Sequence, residues 1–278
     1  MDTLWEALQR LITSPVMPRA LLGGTLIALV GPVLGVFLLL RRYALLADGI
    51  GHIVFGGIGF AFFAGLNPTA TALVAAVLSG LGIEQLRAQR RLSGDTAIAI
   101  FLTTGLGTGL LFARLGGVSA GVLERYLFGN LATISSQDLW LAALAVAGVL
   151  LALALTGKEL FAITFDEESA QASGLSVRGI NRLLAVLAAL VVVGAMRITG
   201  LLLISALIVL PVAASLQLAR SFARALVLAA LFGVIIVDGG LLIAYYANWV
   251  PSGTIVLTGA VWFTLIRLWQ WLARMRKL

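Results

Sequence analysis

The sequence predicts an all-α, polytopic bundle of about nine transmembrane helices, and three observations lead to this fold class. Of 278 residues, 61% are hydrophobic and only 11% are charged, whereas a soluble domain carries roughly 25% charged residues. Several uncharged stretches approach or exceed the ~20 residues that one helical crossing needs. Runs such as 183–195 are apolar on every side, which excludes the alternating strands of a membrane β-barrel.

Nine apolar stretches follow one another, and we expect each to cross the membrane: 20–40, 43–64, 68–86, 96–113, 139–156, 183–196, 199–218, 225–246 and 254–269. The mixed segment 114–138 is expected to lie along the membrane surface or to re-enter it partway. Residues 1–19 predict a short interfacial amphipathic helix. The whole chain, 1–278, is interpreted as a single transmembrane domain.

Lysine and arginine are distributed unevenly between the two sides of this bundle. If the N-terminus lies outside, 14 of the 19 basic residues fall on the cytoplasmic side, and Arg10, Arg19, Arg114, Arg125 and Arg197 fall on the other. Cytoplasmic loops are enriched in these residues, so we expect the N-terminus outside and the C-terminus inside. The same rule explains the net charge of +7 without a nucleic-acid partner.

Asp48 and His52 are the first candidate site. They are four residues apart, so on a helix they share one face, and ionisable residues at membrane depth are functional candidates by default. A carboxylate and a neutral imidazole suit Zn²⁺, Mn²⁺ or Fe²⁺. Alternatively, the two side chains hydrogen-bond each other and hold neighbouring helices, or Asp48 caps a helix. The chain contains no cysteine, which excludes thiolate metal sites and cysteine nucleophiles.

Asp238 is the other carboxylate within a predicted span, and it is a candidate third metal ligand. A carboxylate bonded to hydroxyls, or to backbone amides at Gly239 and Gly240, is an equally good interpretation. Asp95 is expected to cap the fourth span. Glu124, Arg125 and Asp138 are expected to be solvated charges on the outer side.

The stretch 158–182 is the most polar internal segment, and we expect a sizeable cytoplasmic loop. Within it, Asp166, Glu167 and Glu168 precede Ala170 and Gly174, which predicts a short helix with an acidic first turn and a glycine stop. Such a helix would present small residues and a few charges to a docking protein, or it is an ordinary solvated helix between two spans.

Six motifs, taken in order, resemble the permease subunits of bacterial zinc/manganese-type metal-uptake ABC transporters. They are LGVFLLLRRYALLADGIGH (34–52), GDTAIAIF (94–101), YLFGN (126–130), FDEESAQASGL (165–175), GLLLISALIVLPVAA (200–214) and VPSGTIVL (250–257). The resemblance covers nearly the whole chain. One departure is Gly56, where the family often has a proline.

This resemblance implies a multi-pass homodimeric permease of the bacterial inner membrane. Two cytoplasmic ATP-binding subunits would drive it, and an extracytoplasmic metal-binding protein would deliver the metal near 114–138 and 248–253. The family's metal-pathway residues match Asp48 and His52, with Asp238 resembling a later acidic position, and its ATPase-coupling helix matches 166–176. The GIGH form is similar to the zinc-labelled branch.

The expected function is alternating access without covalent chemistry, with Zn²⁺ or Mn²⁺ as transported substrate and no permanently bound cofactor. Because protons compete with metals for such ligands, transport should weaken in mildly acidic medium. A proton-coupled secondary transporter is the alternative, since the sequence contains no nucleotide-binding motif. An intramembrane metalloenzyme is disfavoured, because catalytic zinc normally has three protein ligands and the chain has one histidine.

Overall fold

The computed structural model describes residues 13–14, 16–89, 93–129 and 134–275, and eleven helices can be bounded within these ranges. They are α1 (Met17–Leu40), α2 (Leu46–Ala64), α3 (Pro68–Ala88), α4 (Gly94–Leu115), α5 (Ala120–Phe128), α6 (Ser136–Phe165), α7 (Glu167–Ala172), α8 (Val177–Ala195), α9 (Leu201–Leu218), α10 (Phe222–Ala247) and α11 (Pro251–Met275). The all-α polytopic fold class is therefore confirmed.

The predicted spans match nine of these helices. Eight, all except α5, α7 and α9, are long and apolar enough to cross a membrane by length and composition. The seventh predicted span, 199–218, corresponds to α9, an apolar helix of 18 residues. The first 12 residues of the expected interfacial helix lie outside the described residues, and residues 17–19 already belong to α1.

The polar stretch expected as a loop over 158–182 is mostly helical instead. Helix α6 has 30 residues and ends only at Phe165, so it is about 45 Å long and outreaches a hydrocarbon core of about 30 Å. Helix α8 begins at Val177. The segment between these two long helices is therefore 166–176, which contains α7.

Side-chain contacts group the connecting segments at two ends of the bundle. At one end, here called the basic end, Arg41 binds Glu167. At this end the ring of Phe222 also contacts the rings of Phe37, Phe161 and Phe165. At the opposite end, Arg197 approaches both Asp138 and the ring of Tyr126. The basic end is defined by segments 41–45, 166–176 and 219–221 together with residues 89 and 93, and the opposite end by segments 65–67, 116–129, 196–200 and 248–250 together with residues 134 and 135. The assignment of the basic end to the cytoplasm stays a prediction.

The centre of the core lies among helices α1, α2, α8 and α9, and buried side chains of α3 and α10 extend it. Its fully buried side chains include Leu34, Ile50, Ile58, Leu184 and Ile204. Helices α6 and α11 are peripheral and expose large apolar side chains along their length, among them Leu144, Leu155, Leu265 and Trp269. In a membrane protein such surfaces face lipid, since the hydrocarbon solvates them as well as a core would.

Glycines set the closest helix contacts. Gly35 faces Ile208 of α9, where an added Cβ would lie 2.9 Å from the Ile208 carbonyl oxygen. Gly105 of α4 lies directly against the backbone of His52, and Gly109 lies against Phe55. The contact between α2 and α4 is the most extensive helix pairing among the described residues, so these glycines fix the position of α2.

We expect Gly105→Ala to destabilise the fold and Gly107→Ala to have little effect. A methyl group at Gly105 would overlap the carbonyl group of His52, whereas nothing lies within 4 Å of one at Gly107. Forcing atoms into a close-packed contact costs about 1–3 kcal/mol. Thermal unfolding of the detergent-solubilised chain measures the difference, and equal stability of the two variants would contradict this account of the α2–α4 contact.

Candidate metal pathway and coupling segment

Helix α2 carries Asp48 and His52 near the basic end of the bundle. The helix begins at Leu46, so the two residues lie about 3 Å and 9 Å along its axis from that start. Their side chains are 25% and 15% exposed, respectively. The pair is therefore partly accessible in a single chain and lies in the first two turns of the helix.

The two side chains face each other without a direct hydrogen bond. His52 Nε2 lies 3.8 Å from Asp48 Oδ1, which is beyond hydrogen-bonding range. Two donors that share one ion at 2.0–2.2 Å lie about 3.4 Å apart in tetrahedral geometry, so a small side-chain movement would place both on one metal. The structure therefore does not show the alternative in which Asp48 and His52 hydrogen-bond each other.

Ser205 of α9 is a third polar group at this position. Its hydroxyl donates a hydrogen bond of 3.0 Å to Asp48 Oδ1, and so orients the carboxylate from a neighbouring helix. Sequence reasoning did not identify Ser205. The available signal was a hydroxyl in the otherwise apolar run 201–214, but serine is common in membrane helices.

The backbone of α2 beneath the pair is held by helix α4. Gly105 contacts the peptide that follows His52, and one turn further along Gly56 faces α4 as well. A Cβ at Gly56 would lie 2.7 Å from Thr108 Oγ1 and 3.1 Å from the Gly105 carbonyl oxygen. Glycine at the position where the family often has proline therefore permits this close contact.

Asp238 lies elsewhere in the bundle, on α10 beside α1. The hydroxyl of Thr25 is 2.9 Å and 3.1 Å from its two carboxylate oxygens, which agrees with the interpretation of a carboxylate bonded to a hydroxyl. Asp238 is about 24 Å along α10 from the basic end, against about 9 Å for His52 along α2. No three His, Asp or Glu side chains in the described ranges form a group able to hold a metal. The structure does not bring Asp238 to the pair within one chain, and its role in metal binding stays a prediction.

The short helix α7 forms as the sequence predicted. Asp166 caps it, accepting hydrogen bonds from the backbone N–H and the hydroxyl of Ser169 at 2.9 Å and 2.6 Å. These bonds lower the pKa of Asp166 from its ordinary value. Glu167 and Glu168 occupy the first turn, and Gly174, with φ of +86°, follows the helix in the left-handed region that favours glycine.

Helix α7 is anchored by a small apolar contact. Ala170 is buried with Ile163 of α6 and Val177 of α8 in a cluster separate from the main core. Its other side chains, apart from Ala170, are exposed. The helix therefore rests on the ends of two long helices, and of its first-turn acids Glu168 is exposed while Glu167 also contacts Arg41.

Two further expectations about charged residues are corrected. Ser93 rather than Asp95 caps α4, accepting from the Thr96 N–H. Asp138 is buried, not solvated: it forms a reciprocal capping box with Ser135 at the start of α6. Its other oxygen lies 3.4 Å from Arg197 Nε. A capping box satisfies two otherwise unpaired helix donors, which explains why this carboxylate is turned inward.

The two segments expected at the outer mouth line one open groove of about 570 Å³ at the opposite end. Helix α5 and Gly129 supply one wall, through Glu124, Arg125 and Phe128, and Val250 supplies the other. With nine residues, α5 is too short to span a membrane. Both expectations for 114–138, a segment along the membrane surface and partial re-entry, stay predictions.

Comparison with known proteins identifies the family. The model of the ABC 3 transport family matches residues 13–270. The chain belongs to the ABC 3 transport family. This confirms the resemblance to metal-uptake ABC permeases at the level of the family.

Individual relatives agree with this membership. The chain is 32% identical over 266 residues to the manganese transport system membrane protein MntC of Halalkalibacterium halodurans, covering 95% of this chain and 91% of the relative. It is 31% identical over 249 residues to the manganese import system permease protein ScaB of Streptococcus parasanguinis, covering 90% and 89%. Among solved structures, PsaBC from Streptococcus pneumoniae in complex with Fab matches with a TM-score of 0.84 and 30% identity over 95% of both chains.

We expect Asp166→Ala to loosen α7 and Asp166→Asn to preserve it, since asparagine also caps helices well. The lowered pKa means that the charged cap stabilises α7 at neutral pH and loses that effect as the pH falls through the lowered pKa. Hydrogen–deuterium exchange of amides 167–173 at neutral pH measures the change. Glu168→Ala is the matched control, and faster exchange in that variant alone would contradict the assignment of the cap.

Proposed function

We propose that this chain is the membrane permease of an ATP-driven importer of a divalent transition metal in the bacterial cytoplasmic membrane. The observation that carries the proposal is the Asp48–His52 pair, whose donor atoms lie 3.8 Å apart with Ser205 orienting the carboxylate. Membership of the ABC 3 transport family supports transport driven by separate ATP-binding subunits. The subunit itself would bind and release metal without covalent chemistry.

Zn²⁺ and Mn²⁺ are both proposed substrates. A nitrogen and oxygen donor set accepts either ion, and disfavours Mg²⁺ and Ca²⁺, which prefer oxygen alone. The GIGH motif is similar to that of the zinc-labelled branch, while the relatives named above carry manganese in their names. The transport test therefore uses both metals.

The pair in one chain is an incomplete site, which suits transport and favours a homodimer. One chain offers a carboxylate and an imidazole, and both remain partly exposed. A second copy with its own pair facing the first would raise the number of ligand side chains to four. A site whose ligand side chains can rearrange in both chains releases its ion more readily than a closed structural site.

The two ends of the bundle suit different partners. We assign the basic end, which carries α7, to two cytoplasmic ATP-binding subunits, in agreement with the positive-inside rule. The groove between α5 and Val250 at the opposite end is assigned to an extracytoplasmic metal-binding protein. Metal would enter at the opposite end and pass the Asp48–His52 pair on its way inward.

We expect Asp48→Asn and His52→Ala each to reduce ATP-dependent metal uptake by at least about tenfold, since each removes a ligand from a site that has few. Ser205→Ala should have a smaller effect, because it removes only an orienting hydrogen bond. The measurement is uptake of Zn²⁺ or Mn²⁺ into vesicles that contain the complete complex.

Asp95→Asn is the control for this experiment, since Asp95 is also a first-turn aspartate but is exposed. Wild-type uptake rates in both Asp48→Asn and His52→Ala would contradict the proposed metal site. Uptake that continues without ATP and follows a proton gradient would favour the secondary transporter instead.

A further inference from the structure

Six polar side chains from four parts of the chain form one partly buried cluster at the basic end: Arg41, Tyr43, Glu84, Arg87, Glu167 and Asn181. Two arginines and two glutamates balance each other in charge. The cluster lies where the α1–α2 connection, the end of α3, the start of α7 and the start of α8 meet. It shares no residue with the Asp48–His52 pair.

Arg41 is the centre of this cluster. Its side chain is only 3% exposed, and Nη2 donates a 2.9 Å hydrogen bond to Glu167 Oε2. Nη1 donates to Asn181 Oδ1 of α8 at 2.5 Å. A buried arginine that lost one of these acceptors would leave a charge uncompensated, at a large cost in free energy. Arg41 must therefore follow Glu167 or lose the carboxylate to which it is directly hydrogen-bonded.

Tyr43 fastens the same connection to α3. Its hydroxyl donates a 2.6 Å hydrogen bond to Glu84, and the Arg87 guanidinium lies 3.9 Å from its ring centroid. The Tyr43 carbonyl then accepts the N–H of Leu46, the first residue of α2. The segment 41–45 is thus held on both sides by side chains, and Asp48 follows its last residue by three positions.

Helix α7 has room to move relative to this connection. An open groove of about 1030 Å³ lies beside the cluster, and its walls include Glu167 and Gln171 from α7, Glu84 and Arg87 from α3, and Asn181 from α8. Glu167 itself is 45% exposed, so its carboxylate links the solvated helix to the buried arginine. Helix α7 packs mainly on α6 and α8.

We propose that the Arg41–Glu167 ion pair transmits displacement of α7 to the start of α2, and so moves Asp48 and His52. Arg41 and Glu167 act here as positioning residues, because neither touches the metal. This inference rests on the proposed function, since it supplies the link between the ATP-binding subunits and the metal pair. It also predicts that Arg41 and Glu167 act as a unit rather than through two separate contacts.

The experiment measures metal ions transported per ATP hydrolysed by the complete complex in vesicles, with Zn²⁺ and Mn²⁺ as probes. We expect Glu167→Gln and Arg41→Gln each to lower this ratio by about tenfold, the factor that one charge-assisted hydrogen bond represents. The double variant should be no worse than either single one. Exchange of the two charges, Arg41→Glu with Glu167→Arg, should restore part of the ratio.

Arg42→Gln is the matched control, because Arg42 is the exposed neighbour of Arg41; it should keep the wild-type ratio. Association with the ATP-binding subunits and equilibrium metal binding are measured in parallel and should stay within about twofold, which a merely structural defect would not allow. Glu167→Gln keeps the test valid if Arg41→Gln fails to fold, since Glu167 is half exposed.

Two results would overturn the inference: an unchanged ratio in Glu167→Gln, or additive losses in the double variant, which would mean that Glu167 acts by touching the ATP-binding subunit. Failure of the proposed function has a different signature, the absence of metal transport by the wild-type complex.

Discussion

The cost of leaving a polar group without a partner inside a membrane governs this structure. Helices satisfy the backbone, and several buried or partly buried ionisable side chains have polar partners. Asp238 takes the hydroxyl of Thr25, Asp138 takes Ser135 and approaches Arg197, and Arg41 takes Glu167 and Asn181. In the Asp48–His52 pair, the imidazole makes no hydrogen bond within the described residues, and its Nε2 lies 3.8 Å from Asp48 Oδ1. An ionisable pair that the fold leaves partly unsatisfied and partly exposed is available for a passing ion.

The glycine contacts explain how such a pair is kept in place. Asp48 and His52 are held mainly through their backbone, because Gly105 allows α4 to touch the peptide after His52. One side chain, Ser205, orients the carboxylate. Rigid backbone with little side-chain support leaves both donor atoms free to adjust to a metal, which a transient site needs more than a structural one.

The sequence was informative where one residue type has few structural options. Asp166 with two following glutamates and a later glycine predicted α7, because capping and the helix dipole act within a single turn. Asp48 and His52 were paired correctly because helical spacing alone sets their distance. The loop 158–182 was placed wrongly since Lys158 and Glu159 are charged, yet α6 extends past the hydrocarbon and carries both on its last turns. The contacts of Ser205 with Asp48 and of Thr25 with Asp238 arise from helix packing, which no local pattern encodes.

Asp238 illustrates the same limit for the site itself. The apolar run around Asp238 predicts that it lies in a span. That run does not predict its depth in the membrane or its hydrogen-bond partner. Its position on α10, about 15 Å further from the basic end than His52 is along α2, separates it from the pair within one chain. A carboxylate in the half of the bundle nearer the opposite end, held by one hydroxyl, is better suited to an earlier point on an inward path than to a shared site. On that view an ion would meet Asp238 first, with the Asp48–His52 pair close to the end from which α7 can act on it.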